Sequence, residues 1–399
     1  MTVSKELSSE ELPALEALWS PALGDNALLR AMAEEKPVWR ARTYTGDVGW
    51  LVLGAPEIKA LMLDRRLVRS HPNPDDATRL TDNPIYSMIA GAGGADPHEM
   101  HSAMRALLIP FFTHKKMAAL RPRIEAIVDD AIDEVLALPQ PVDLLPTFSL
   151  PVPLRVLCEL MGVPEDERDT LADLLDRMHG TGEAAADQSE FFGYLMGLAA
   201  RKRENPADDV ISGVVAAGHD DVVIATIVAL LLFAGHESIS SHIGMGMARL
   251  LTRPDLRASL TADPDLMAGA VEELLRTANF GGGWQPHYAF EDFELAGEQI
   301  RAGDLVLPDF AMANYDRRAF ADPDEVDFHR TPNQHLTFAH GAWHCIGAPL
   351  ARLELNTVFT ALLTRIPTMS LAVKASELSD PEKVKARLSS TLAWLPVTW

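Results

Sequence analysis

The chain has 399 residues, 47% of them hydrophobic, and 57 acidic side chains outnumber 35 basic ones for a net charge of −22. That balance argues against a nucleic-acid partner, which calls for a basic face. The two cysteines, Cys158 and Cys345, stand too far apart for paired-ligand spacing, which argues against a disulfide framework or a zinc site.

Along the chain, the opening "MTVSKELSSEELPALEALWS" lacks a basic start followed by an apolar run, so no secretory signal is expected. Residues 49–64, "GWLVLGAPEIKALMLD", read as a strand, a turn and a short helix. Residues 97–136 carry a helical pattern with breaks near Pro110 and Thr113. Another helix follows Pro153 and stops at Gly162, with Cys158 on its apolar side as a small buried hydrophobe.

Residues 220–251 predict one long helix. Its apolar run, "VVIATIVALLLFAG", is short for a membrane span and is followed at once by "HES", so a buried core helix is expected. Residues 263–277 form a further helix with an acidic start. "FELAGEQIRAGDLVL" predicts a hairpin turning near residues 296–298, and residues 316–332 an irregular stretch rich in proline and aspartate. The last helix begins just after Cys345, with Leu350, Leu353, Val358 and Leu362 on its apolar face and Pro349 in its first turn, where no backbone donor is needed. With no repeat, low-complexity tract or linker, the expectation is one domain over residues 1–399, mainly α with a minor β portion, located in the cytoplasm without a membrane contact.

Cys345 sits in "TFAHGAWHCIGAPLARLEL", next to a helix start. There the unpaired backbone N–H groups and the positive end of the helix dipole favour a thiolate. Gly341 and Gly347 would let a flat, bulky group approach the backbone. Two functions need such a thiolate, a nucleophile or a ligand to a metal or haem iron, while an inert structural cysteine needs none. His344, its sequence neighbour, is badly placed to act as its base.

"FAHGAWHCIG" resembles the haem-binding loop of the cytochrome P450 family, F-G-x-G-x-[HR]-x-C-x-G, through Phe338, Gly341, Cys345 and Gly347. The family's later A-R-x-E is matched by Ala351, Arg352 and Glu354. "AGHES" resembles its oxygen-binding helix motif through Ala234, Gly235, Glu237 and Ser238. "EELLR" supplies its E-x-x-R pair, Glu273 and Arg276, with Arg330 as the later arginine, and "HSAMR" its H-x-x-x-R pair, His101 and Arg105. The four motifs stand in the family's order over residues 96–354, and the resemblance covers nearly the whole chain.

The resemblance implies the cytochrome P450 fold, haem b (iron protoporphyrin IX) as cofactor and Cys345 as the iron ligand. It implies that His101 and Arg105 meet the haem propionates, that Ala234 and Gly235 leave room for dioxygen, and that Glu237 and Ser238 relay protons. Four positions depart from the family. Ala339 replaces a customary glycine, which reads as a mild change. Trp343 replaces a histidine or arginine, and His287 replaces an arginine that clamps a propionate. Ser238 stands where threonine is usual, which implies looser control of the proton.

No flavin or nicotinamide fingerprint is present, so the resemblance implies electrons from a ferredoxin and its NAD(P)H-dependent reductase. Arg105, Lys115, Lys116, Arg121 and Arg123, with Arg352, would form a basic landing patch for it. By position, Met88, Phe233, Phe280, Trp284 and Leu392 would line the substrate pocket, beside the Gly281–Gly283 run. Their apolar and aromatic bias suggests a hydrophobic or aromatic small molecule from secondary metabolism. Monooxygenation is the first expectation. Oxidative coupling of aromatic substrates, such as tryptophan-containing cyclic dipeptides, without oxygen retention is the alternative.

Overall fold

The computed structural model describes residues 11–18, 23, 26–82, 84–91, 96–179, 184–278, 284–379 and 392–399. Its helices are α1 (Ala27–Glu35), α2 (Ala55–Leu63), α3 (Pro84–Gly91), α4 (Pro97–Leu108), α5 (His114–Leu136), α6 (Pro151–Met161) and α7 (Arg168–His179). They continue as α8 (Ala184–Glu204), α9 (Val210–Ala216), α10 (Asp221–Thr252), α11 (Pro254–Ala262), α12 (Met267–Arg276), α13 (Phe310–Ala313) and α14 (Ala348–Arg365). The strands are β1 (Val38–Arg42), β2 (Val48–Val52), β3 (Leu67–Val68), β4 (Val142–Asp143), β5 (His287–Ala289), β6 (Phe293–Leu295), β7 (Glu298–Ile300), β8 (Leu305–Pro308), β9 (Ser370–Leu371) and β10 (Pro396–Thr398). The molecule is mainly helical with small sheets, as its patterning predicts.

Two compact units form from interleaved segments. The first comprises Met1–Met104, Leu275–Asp327 and Thr331–Cys345. Its five-stranded sheet runs β1-β2-β8-β5-β3, with β2 and β8 parallel and the other neighbours antiparallel. Leu51, Leu53, Val68, Leu305 and Leu307 fill one apolar cluster around it, and Val52, Ile58, Met62 and Val306 fill another. The hairpin β6–β7 turns at Ala296 and Gly297, both at positive φ, the geometry that suits a two-residue hairpin turn.

The second unit comprises Arg105–Leu274, Phe328–Arg330 and Ile346–Trp399. Its centre is α10, which Asp220 caps by accepting from the Val223 N–H. By length and composition alone α10 could cross a membrane. Its second half is core, since from Ile239 to Ala248 every residue is buried and an added Cβ on Gly246 would lie 2.4 Å from the Phe359 ring of α14, whereas 39% of its most apolar stretch is buried. The helix after Pro153 begins slightly earlier than its proline spacing suggests, at Pro151, because prolines are tolerated throughout a first turn. It ends at Gly162, which adopts φ +78. Cys158 is fully buried, and burial pushes its thiol up to about 12, which leaves it an inert core residue.

Candidate functional site

In the first unit the chain enters the Cys345 loop under close backbone control. Asn314 accepts from the Leu336 N–H at 2.7 Å and donates to Thr337 Oγ1 at 3.0 Å, and Thr337 donates to the Leu275 carbonyl at 2.9 Å. The loop then reverses, so that the Cys345 N–H donates to the Phe338 carbonyl at 2.8 Å. Phe338 is buried, whereas Cys345 is exposed.

Two residues of this loop hold left-handed conformations, Ala339 at φ 55 and Gly341 at φ 61. The alanine is therefore no mild change, because an L-residue there costs roughly 1–2 kcal/mol relative to glycine before the unfolded chain is considered. Ala339→Gly is expected to stabilise the protein by about 0.5–1 kcal/mol after that correction, read as a rise in the thermal midpoint. The glycine at 341 has a second reason. A Cβ there would stand 2.8 Å from the Met62 carbonyl oxygen, so Gly341 serves the packing of the loop on α2 and not only the approach of a ligand.

Beside the loop, Trp343 collects histidines. Its ring lies 4.3 Å from that of His101, 5.8 Å edge-on from that of His287 and 5.9 Å from that of His98. His98 and His101 belong to α4, whose start is fixed by Asp96 accepting from the N–H groups of His98 and Glu99, both at 3.0 Å. Arg105 is four residues after His101 on the same helix.

His287 is fully buried on β5. Its Nδ1 donates to the Gln285 carbonyl at 3.0 Å, while its Nε2 is sealed from solvent without a hydrogen-bond partner. Burial first, then the charge of Arg69, holds its pKa well below the usual 6.5. Arg69 donates from Nη1 to Gln285 Oε1 at 2.9 Å, and its Nε is likewise sealed without a partner. Arg69 carries no signal in the sequence: it follows a two-residue strand and belongs to no motif, and only the β3–β5 pairing brings it to His287.

The E-x-x-R residues are fully buried on α12. Arg330 donates from Nε to Glu273 Oε1 at 3.1 Å, so the expected third member does join the glutamate. Arg276 ties down the irregular stretch, donating to the carbonyls of Asn314, Pro323 and Glu325 at 3.0, 2.7 and 2.9 Å.

In the second unit α10 is exposed at its start, at Val222 and Val223, and opens again midway. Ala234 is exposed and Ser238 half-buried, between the buried Leu232 and Ile239. The Ser238 hydroxyl donates back to the Ala234 carbonyl at 2.6 Å, as the motif implies, and the helix runs unbroken past this bond. Gly235 points elsewhere than expected. Its absent Cβ would meet Leu157 at 3.0 Å, so its smallness lets α6 approach, and the residue on the open face is Ala234. His236 shares that side, with Nε2 2.9 Å from the Leu150 carbonyl oxygen. A cavity of about 740 Å³ lies there, lined among others by Glu237, Ser240, Leu154, Asp173 and Leu392.

The pocket residues meet different fates. Phe233 packs its ring 5.9 Å from that of Phe191, and Met88 is partly buried on α3. Leu392 is buried against Gly244 and borders the cavity. Phe280 and the Gly281–Gly283 run lie outside the described residues. Trp284 is a correction: it is 1% exposed, donates to Asp309 Oδ2 at 2.8 Å and belongs to the apolar cluster of the first unit, which leaves no face for a substrate. The basic patch is also corrected. Lys116 pairs with Asp208, Arg121 with Glu125, Arg123 with Glu159 and Arg352 with Glu272. Gly347 precedes α14 and takes helical angles, with no left-handed requirement. Glu354, of the A-R-x-E match, is buried, and burial raises its pKa to about 8.

The residues of the first unit fit haem. An exposed thiol stands on a fixed loop, and the buried Arg69 Nε–H lacks the acceptor that a propionate carboxylate would provide, beside a His287 Nε2 that also has no partner.

A model of the cytochrome P450 family matches residues 168–383. Mycinamicin IV hydroxylase/epoxidase of Micromonospora griseorubida is 37% identical, over 92% of this chain and 94% of its own. Pentalenolactone synthase of Streptomyces exfoliatus is 36% identical, over 98% and 100%. The solved structure of PimD, a polyene macrolide antibiotic pimaricin epoxidase, is 40% identical with a TM-score of 0.89, over 98% of this chain and 100% of that one.

Proposed function

The chain belongs to the cytochrome P450 family, and from that premise we propose that it inserts one oxygen atom from dioxygen into a hydrophobic secondary metabolite, with Cys345 as the iron ligand. The exposed Cys345, in a loop otherwise anchored to the core, is the observation that carries this reading. Haem b is the cofactor, and when bound through a thiolate it supplies dioxygen activation.

This chain's own residues do the rest. The Phe338–Cys345 hydrogen bond holds the sulfur's backbone in place. His101, Trp343, His287 and Arg105 would seat the cofactor's edge. Ser238 holds a proton on an open face of an apolar helix, and Glu237 borders a cavity through which that proton can be replaced. The named relatives include a mycinamicin IV hydroxylase/epoxidase and a pimaricin epoxidase, and this supports oxygen insertion. The aromatic-coupling alternative rested on the altered relay at Ser238 and on an aromatic pocket, and Trp284 is buried in the core of the first unit instead of lining one.

Electrons come from a separate redox partner, and we take it to be a ferredoxin with its reductase, in the cytoplasm. Four cations of its expected basic patch are ion-paired, which leaves its docking surface to be mapped by substitution.

Turnover of lipophilic metabolites under ¹⁸O₂ tests the reaction. A product heavier by one labelled oxygen supports it, and products that only lose hydrogens refute it. Ser238→Ala removes the hydroxyl and is expected to cut product formed per NAD(P)H by on the order of tenfold or more, with peroxide released instead. Coupling unchanged from wild type would exclude the serine from proton delivery.

A further inference from the structure

His287 and Arg69 form a unit that neither the motifs nor the relatives' names describe. Both hydrogen-bond Gln285, one to its backbone and one to its side chain, and each turns a sealed, unpartnered nitrogen away from it. The same His287 ring meets Trp343 edge-on, two residues before Cys345 in the chain. The pair is therefore next to the cofactor's expected edge.

The protons can be assigned from the partners. A backbone carbonyl only accepts, so His287 Nδ1 carries a hydrogen, and a neutral His287 then presents a bare Nε2. A bare Nε2 repels a carboxylate lone pair, whereas Arg69 is a permanent cation with a free Nε–H. The groups acting on His287 are cationic or neutral. Arg69 reaches it from beyond β3 and His101 from α4, both opposing its protonation; β8 presents Val306 in register, and the Cys345 loop presents Trp343.

Resting on the haem reading above, we propose that Arg69 and His287 together bind one haem propionate, Arg69 through a fixed charge and His287 only after taking up a proton on Nε2. Arg69 thus replaces the cation that an arginine at 287 would supply, and haem retention is linked to pH. Because binding raises the proton affinity of His287, the stabilisation is complete below its haem-free pKa and is lost progressively as pH rises from there through its haem-bound pKa.

The test follows haem transfer from the purified holoprotein to excess apomyoglobin between pH 6 and 9. In wild type the loss rate should climb with pH, by no more than tenfold per unit for one proton. His287→Arg should lose haem slowly and without that slope. Arg69→Gln should lose it on the order of tenfold faster at pH 7, and adding His287→Arg to that variant should restore retention. The last comparison separates a charge at the propionate from a merely structural Arg69, which a new arginine at 287 would not rescue. A flat wild-type profile would overturn the proton linkage, and would indicate that the two nitrogens satisfy each other. Absence of rescue, or an Arg69→Gln rate equal to wild type, would overturn the paired binding. A holoprotein without a thiolate–haem spectrum would instead refute the assignment of Cys345.

Discussion

Cys345→Ser is expected to abolish the red-shifted ferrous–carbonyl Soret band of a thiolate-ligated haem and to reduce dioxygen-driven turnover to background, while the far-ultraviolet dichroism stays unchanged. The two halves of this expectation have separate physical causes. A serine hydroxyl is not ionised near neutral pH and does not push electron density onto iron as a thiolate does, so the chemistry that needs thiolate donation disappears. The fold, by contrast, is expected to tolerate the change. Cys345 is exposed, and its backbone N–H donates to Phe338, a bond that serine keeps. Exposed substitutions of this kind usually change stability by no more than about 0.5 kcal/mol. A serine variant that still shows the thiolate band would place the ligand elsewhere, and Cys158 cannot take over because it is fully buried with its thiol held protonated.

Arg276→Lys is expected to cost about 3–5 kcal/mol, a large share of the roughly 5–15 kcal/mol by which native proteins are stable. The charge survives this change, but the geometry does not. One planar guanidinium serves three carbonyls, on Asn314, Pro323 and Glu325, and lies over the rings of Tyr315 and Phe320 at 5.7 and 5.4 Å. An ammonium on a single flexible stem cannot reach all three, so buried acceptors lose their donors. Since Asn314 also positions Leu336 and Thr337 at the head of the cysteine loop, the haem spectrum should weaken together with the thermal midpoint. A lysine variant with wild-type melting and full haem content would show that the irregular stretch is held by other contacts.

Much of this architecture was legible in the sequence because it follows from local patterns. The apolar run of α10, the hairpin at Ala296–Gly297, the stop at Gly162 and the helix after Cys345 each follow from side-chain periodicity or from a turn residue's φ preference. The cysteine loop, Ser238 and the Glu273–Arg330 pair were legible for a different reason: they match motifs of the family that the sequence resembles. Tertiary packing decided what no local pattern carries. It gave Gly235 to Leu157 and Gly341 to Met62, where spacing had suggested ligands. It turned Trp284 into the core because Asp309 offered its indole a buried acceptor, and it neutralised most of the basic patch with acids distant in sequence. Arg69 shows the limit most clearly. It has no motif and no periodicity, and its place beside His287 arises from the pairing of β3 with β5, two strands more than two hundred residues apart. Hydrogen-bond register across such a separation depends on the whole chain's folding, and so the charge that completes the site is a property of the tertiary structure alone.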